Sequence, residues 1–246
     1  VAINFLDQLE GGCYTGDALS YHMKLLPALP KRLPKVLTIL KKTYPRATCI
    51  LAYNSPWQLL VAVQLSAQCT DLMVNKVTPG LFKEYPTVEA TAVAPIEDIE
   101  RLIHSTGFYH NKAKNLKAAA QMIVDEFHGV VPRTMEELIR VPGVARKTAN
   151  VVLGNIYGVV EGIAVDTHVF RVSRRLGFSA ATTPEKVERD LMRILPKKEW
   201  FPFTYRIIDL GRAICKAPTP KCEICPLNKL CPSSYASSTA PIQRNA

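Results

Sequence analysis

The chain contains no apolar run approaching the roughly 18 residues a membrane span needs, so nothing in it predicts a transmembrane helix. No stretch alternates apolar and polar residues with the period of a strand, and no segment repeats. The first residues, VAINFLDQLEGG, carry acidic side chains and lack the basic-then-apolar pattern of a secretory signal. These absences leave an all-α protein, expected in the cytoplasm with no membrane partner. Negative charge is short as well: 21 Asp and Glu stand against 31 Lys and Arg, for a formal net charge of +10. Such an excess suits a polyanionic partner, although basic proteins that bind no nucleic acid are common. At 246 residues, 48% hydrophobic and 21% charged, the chain can bury a good core in one or two domains.

What is present concentrates in residues 134–168, TMEELIRVPGVARKTANVVLGNIYGVVEGIAVDTH. Thr134 and Glu137 have the spacing of a capping box and predict a helix start, with Leu138, Ile139 and Val141 on its apolar face. Pro142-Gly143 then breaks the chain. RKTANVVL follows as a second helix, making a helix-hairpin-helix. The hairpin at 141–145 is expected to offer backbone N–H groups to a phosphate at the positive end of that second helix. Lys147 falls in the helix's first turn, where a lysine is electrostatically out of place, although simple solvation would also account for it. Asp166 stands where an N-cap belongs, before a helix with Val169, Val172 and Leu176 on one face and Gly177 closing it. Two helix starts joined by a short apolar link can bring an amine and a carboxylate to one cleft.

The seven cysteines divide unevenly. Cys13, Cys49 and Cys69 are scattered, whereas Cys215, Cys222, Cys225 and Cys231 form C-x6-C-x2-C-x5-C with no histidine among them. In a reducing compartment such a group reads as a metal site sooner than a disulfide framework. Four thiolates can hold tetrahedral zinc or a [4Fe–4S] cluster. Zinc sites more often pair two C-x2-C knuckles and only one is present, so the spacing leans towards iron–sulfur. The loop 216–221 presents Lys216 and Lys221 between the first two cysteines, with Arg212 one turn upstream, and fixed cations of this kind suit phosphate.

Elsewhere, residues 1–30 are the least legible. A basic helix is predicted over 31–44, with Leu33, Val36, Leu37 and Leu40 as its stripe. Ser55-Pro56 opens a helix buried through Trp57, Leu60, Val61, Val63 and Leu65, and Gln68 lies at its polar end. Asp71 starts the next helix, through Val74 and Val77, with capping as its simplest role. Residues 96–103 read as helix, and the Gly107-Phe108-Tyr109 turn puts an aromatic at a loop tip, a position from which it would usually fold into the core. Asn111, Lys112 and Lys114 supply phosphate-side charge or a solvated face. Thr183-Pro184-Glu185 opens a helix carrying Val187, Leu191 and Ile194 and stopped by Pro196. A last helix is predicted over 203–213, and the tail SSYASSTAPIQRNA reads as unstructured.

VPGVARKTANVVL followed by AVDTHVFRV resembles the endonuclease III branch of the helix-hairpin-helix DNA glycosylases, whose pattern is LPGVGRKTA followed by VDTH. The similarity runs from about Ser55 to Cys231. It implies two helical domains: a six-helix barrel-type domain with the helix-hairpin-helix over 49–159, and a [4Fe–4S] cluster domain assembled from 31–48 and 160–232. Residues 1–30 and a flexible tail, 233–246, flank them. It also implies a bifunctional DNA glycosylase/AP lyase of base excision repair, a monomer acting on double-stranded DNA with a damaged base or abasic site, nucleoid-associated in a bacterium. Lys147 matches the family's nucleophile and Asp166 the aspartate that assists it. Gln68 matches the residue that fills the gap left by an extruded base, and Phe108 a wedge where leucine is common. Val141, Gly143, Ala145, Arg146, His168, Lys216 and Lys221 are expected to contact DNA, and Cys215, Cys222, Cys225 and Cys231 to hold the cluster in a structural role. One departure lies at Ala145, where the family has the hairpin's second glycine; alanine cannot take a positive φ cheaply. The implied substrates are oxidised or ring-saturated pyrimidines. Two other readings are a monofunctional mismatch adenine glycosylase and a non-catalytic iron–sulfur DNA-binding module. The first lacks a lysine at the Lys147 position and uses a glutamate on the early helix, where this chain has QLSAQ; the pairing of Lys147 with Asp166 argues against the second.

Overall fold

A computed structural model describes residues 30–236, and every regular element among them is helical. The expectations for 1–29 and for the tail from 237 onward lie outside the described residues. In chain order the helices are α1 (Leu33–Thr43), α2 (Pro56–Leu65), α3 (Asp71–Glu84), α4 (Val88–Val93) and α5 (Ile96–Ile103). A 3-10 turn, His104–Thr106, leads into α6 (Tyr109–Phe127), followed by α7 (Met135–Leu138) and α8 (Arg146–Val152). α8 passes into a π-helical turn, Leu153–Tyr157; then come α9 (Thr167–Arg175), α10 (Pro184–Ile194) and α11 (Lys197–Ala213).

Helix α2 is the axis of the first half. Ser55 caps it by accepting from the Gln58 amide at 3.2 Å, and Pro56 occupies its first turn. From Trp57 to Leu65 nearly every side chain is apolar and buried on all sides, as expected of a helix with no polar face. α3, α6 and α8 pack around it. Each fully buried leucine there contributes about 1.5–3 kcal/mol, so the helix also fixes what hangs from its ends.

Two hydrophobic cores result. One is built from residues between Leu51 and Leu153 together with Ala164. The other joins Leu33, Val36 and Leu40 of α1 to residues between Ile163 and Leu227, so the first described helix packs beside α11, near the end of the chain.

Several elements differ from their sequence reading. α7 is a single turn: Thr134 caps it, but the Glu137 carboxylate accepts from the Thr134 hydroxyl at 2.8 Å instead of returning to the cap amide. The helix ends at Leu138, so Ile139 turns outward and is half exposed. Thr70, not Asp71, caps α3, and α3 continues through Pro79 to Glu84. α11 begins at Lys197, six residues earlier than predicted, and runs through Pro202. A proline deprives a helix of one hydrogen bond, and burial of Phe203 and Ile207 holds this one together across the gap. The expectation of an unstructured tail from residue 233 does not hold for its first residues: Ser234 is buried, and the Tyr235 hydroxyl donates to the Pro220 carbonyl at 2.9 Å.

Candidate active site

The hairpin is seated from below. Gly143 has φ +75, and a Cβ there would sit 3.0 Å from Asn115 Cβ and 3.1 Å from Gln64 Nε2, so both its conformation and the space require glycine. Gln64 Nε2 donates to the Pro142 carbonyl at 2.8 Å, tying the hairpin to α2. The Val141 and Val144 side chains are buried, while Gly143 and Ala145 are exposed. Val141, expected at the DNA, has its N–H occupied as well, donating to the Leu138 carbonyl at 3.1 Å, so it seats the hairpin and offers no free donor. Ala145 has φ −89 and ψ 167, extended backbone that any residue adopts, so the strain expected of alanine does not arise. It also gives α8 no side-chain cap.

α8 is held from the other core. Glu188, buried on α10, accepts from Arg146 Nε at 2.8 Å, from Asn150 Nδ2 at 2.9 Å and from the Ile163 amide at 3.2 Å. Gly162 makes room for it, since a Cβ there would fall 2.0 Å from the Glu188 carboxylate. Arg146, expected at the DNA, thus has a second attachment inside the protein. Sequence reasoning passed over Glu188, although a signal existed: it lies on the stripe of Leu191 and Leu195, where a carboxylate needs partners.

Asp166 caps α9, its Oδ1 accepting from the Val169 amide at 2.7 Å. Lys147 and Asp166 are both partly buried, and neither enters an ion pair among the described residues. Lys147 acts on the Cys49 thiol and Asp166 on the His168 ring, and Asp71 acts on both. Burial pushes the Cys49 thiol up; Asp71 adds to that shift, while the Leu51 backbone, Lys147 and the Tyr205 hydroxyl oppose it. Asp71 pairs with Arg212, joining the start of α3 to the end of α11. The Asp71 carboxylate also acts on His168, as does Asp166. Burial, with Arg171 and Arg212, holds the His168 pKa below its ordinary value against those two carboxylates. Its ring lies over Gly211, where a Cβ would come within 2.8 Å of Nδ1, and Arg171 Nη2 is 3.2 Å from that nitrogen. Cys49, Asp71 and Gly211 were not anticipated as site residues, because they meet only through tertiary contacts, and Arg212, expected among the phosphate-side cations, is paired within the protein with Asp71.

Gln68 and Phe108 are set apart by backbone as well as exposure. Both are non-glycine residues in the left-handed region, at φ 51 and 50, and both are exposed, Phe108 by 66%. Phe108 does not fold back into the core. Conformations this rare persist where surrounding structure imposes them. Lys112 does not lie on a solvated face: it is buried, and its Nζ donates to the carbonyls of Leu65 and Thr106. The clue lay in its place on the apolar stripe of Leu116, Ala120 and Ile123.

Cys215, Cys222, Cys225 and Cys231 line one cavity. Among the described residues no group of His, Cys, Asp or Glu is arranged to hold a single metal ion. Arg175 Nη1 lies 3.4 Å from Cys215 Sγ and donates to the Lys216 carbonyl at 2.8 Å, while Arg171 donates to the Cys215 carbonyl. Two arginines of α9 therefore pin the loop on which Lys216 and Lys221 stand exposed.

Comparison with known proteins places this geometry. Residues 61–197 match the HhH-GPD superfamily of base excision DNA repair proteins. An endonuclease III from Synechocystis is 53% identical over 219 residues, covering 89% of this chain and 100% of that protein. The chain belongs to the endonuclease III family. An endonuclease III of Bacillus subtilis is 48% identical over 76% of this chain and 86% of its own. A solved non-covalent endonuclease III–DNA complex superposes with a TM-score of 0.80 at 46% identity, covering 83% of this chain and 96% of that one. A trapped endonuclease III–DNA covalent intermediate matches equally well. Within this family the fold described above carries base excision chemistry, and membership of the family is consistent with an iron–sulfur cluster. No helix of the described residues is long and apolar enough to cross a membrane.

Proposed function

We propose that this DNA glycosylase/AP lyase of base excision repair uses Lys147 as its nucleophile and Asp166 as the group that assists it, and that it removes oxidised pyrimidines from duplex DNA. The observation that carries the assignment is the setting of Lys147. It stands in the first turn behind the exposed hairpin, within electrostatic reach of Cys49, in a neighbourhood that Asp71 and His168 extend to Asp166. A damaged nucleotide extruded from the duplex would meet amine and carboxylate in one cleft between the two cores.

The Lys147 nitrogen forms a bond to C1′ of the sugar as the C1′–base bond breaks, and the base leaves with that electron pair and takes up a proton. The lysine nitrogen then gives up one proton, and its lone pair forms the C1′=N bond of a protonated Schiff base as the C1′–O4′ bond breaks and O4′ takes up a proton. The iminium acidifies the 2′ hydrogen; its loss expels the 3′ oxygen and breaks the strand. Asp166 Oδ1 is engaged by the Val169 amide, which orients the carboxylate so that its other oxygen can take the proton or stabilise the sugar cation.

The finer assignments belong to the same proposal. Each hydrophobic core corresponds to a domain, 49–159 on one side and 31–48 with 160–232 on the other. Gly143 and Ala145 contact a phosphate through main-chain N–H groups, with Arg146, His168, Lys216 and Lys221 adding charge, while Gln68 and Phe108 enter the duplex. The four cysteines supply thiolates for a [4Fe–4S] cluster, which would hold the 216–221 loop in shape. Borohydride trapping on abasic duplex DNA tests the nucleophile: a covalent protein–DNA adduct is expected, and its absence with Lys147 intact would sink the assignment. Excision from duplexes carrying single defined lesions tests the substrate class, with thymine glycol expected to be released.

A further inference from the structure

Among the buried ionisable groups of the described residues, Lys112 touches both segments that lead to an exposed, left-handed residue. Its Nζ is 2.9 Å from the carbonyl of Leu65, the last residue of α2, three positions before Gln68. The same nitrogen is 2.8 Å from the carbonyl of Thr106, the last residue of the 3-10 turn, two positions before Phe108. Helix ends present carbonyls without helical partners, and a cation is the favoured occupant there. Thr106 is itself buried, with its hydroxyl donating to Ile103, so the anchor on that side is firm. The other anchor belongs to α2, the most deeply buried helix of its core.

We propose that Lys112 is a positioning residue that cross-braces the two probing loops, fixing Gln68 and Phe108 relative to one another so that they enter the duplex as a unit. The proposal rests on the reading of those two side chains as the ones that enter DNA. A buried lysine is a costly way to fill space, and burial pushes its pKa down. An apolar side chain of similar length would occupy the same volume without that cost. What it could not do is bond two backbone carbonyls from separate segments at once. The ammonium can, because its donors fan out from one atom. Gly107, between the Thr106 anchor and the Phe108 tip, has φ +68, so the turn reaches its tip within two residues of the brace. The brace therefore acts on conformation directly under each probing side chain.

The test is a double-mutant cycle read by duplex opening. A fluorescent base analogue is placed opposite an abasic-site analogue, and its unstacking is titrated with Gln68→Ala, Phe108→Ala and the double variant, in the native chain and in Lys112→Met. In the native background the two losses are expected to be non-additive, and in Lys112→Met the affinity should fall about tenfold and the coupling disappear. Borohydride trapping of Lys112→Met on a single-stranded abasic oligonucleotide should stay within about twofold of native, because no duplex has to be opened there. Coupling that survives in Lys112→Met overturns the brace while leaving Gln68 and Phe108 in their roles. Single substitutions without effect on opening remove those roles, and the brace with them. Should Lys112→Met fail to fold, Lys112→Gln, whose amide can reach one carbonyl, replaces it. Undiminished coupling in that variant also overturns the proposal, and Lys112→Arg should restore coupling lost in either.

Discussion

Helices α8 and α9 begin in opposite ways. α9 is closed by its own anion, the Asp166 carboxylate bonded to the Val169 amide, whereas α8 begins at Ala145, which has no side chain able to cap. A helix start without a cap leaves its first N–H groups to solvent or to a ligand and forgoes about 1 kcal/mol of stability. α8 recovers stability from behind, where buried Glu188 holds Arg146 and Asn150 from the second core. On the proposed roles, capping is withheld at the end that would meet a phosphate and supplied at the end that carries the proposed assisting carboxylate. Both starts are held firmly, one by a cap and one by a clasp.

Substitutions that break the contrast outright should have the largest effects. Lys147→Ala should abolish strand nicking and borohydride trapping while leaving DNA binding within a few-fold of native; nicking that persists would place the nucleophile elsewhere. Asp166→Asn separates the two jobs of one residue. Asparagine caps about as well as aspartate, so stability should change by less than about 0.5 kcal/mol, whereas base excision should slow by roughly 10²–10⁴ if the carboxylate handles a proton. Native excision rates in that variant would reduce Asp166 to a cap.

The two starts also differ in how far their parts could be read from sequence. The α9 start was legible because capping is local: Asp166, the apolar face and Gly177 lie within a dozen residues. The hairpin was legible for the same reason, and so was the grouping of the four cysteines around one cavity. The clasp under α8 was not, since Glu188 is 42 residues from Arg146 along the chain. Asp71 was misread as a cap because Thr70 beside it can do the same work; its actual partner, Arg212, lies 141 residues away. Lys112 was misread through its charge, which outweighed its position among Leu116, Ala120 and Ile123. Lys112 was misplaced because its charge was taken as evidence of exposure, and Glu188 was passed over altogether. An ionisable residue on an apolar stripe reports a buried network.

Removing the clasp is expected to cost stability before it costs chemistry. Glu188→Ala leaves the Asn150 amide and the Ile163 N–H inside without an acceptor, and Arg146 without its anion. A loss of about 2–3 kcal/mol is expected, read as a lowered urea midpoint with an unchanged slope. The lower part of the buried-pair range applies because the Arg146 side chain is 42% exposed. A shift within error would mean that α8 is held by its apolar face alone. Ala145→Asp sharpens the contrast from the other side by giving α8 the kind of start that α9 has. The new carboxylate should stabilise the fold by about 1 kcal/mol and weaken binding to abasic DNA about tenfold, since it occupies the N–H groups and repels the phosphate. Ala145→Gly should change little in either respect, because Ala145 already sits in unstrained backbone. Tighter binding by Ala145→Asp would show that the hairpin does not face the phosphate.

The smallest effect expected is one of pH, at the start of α9. Burial, Arg171 and Arg212 lower the His168 pKa below 6.5, against the pull of Asp166 and Asp71. A histidine lowered in this way is neutral in the folded protein at pH 7. As pH falls through about 6.5 the unfolded chain takes up a proton that the folded one refuses, so stability is lost down to the folded value and then levels off. His168→Gln removes that contribution and leaves the carboxylates of the rest of the protein in place. Urea midpoints at pH 7.5 and pH 5.5 should therefore lie closer together in His168→Gln than in the native protein. Equal gaps would mean that the imidazole takes up its proton as readily folded as unfolded, and that the Gly211 recess is open to water.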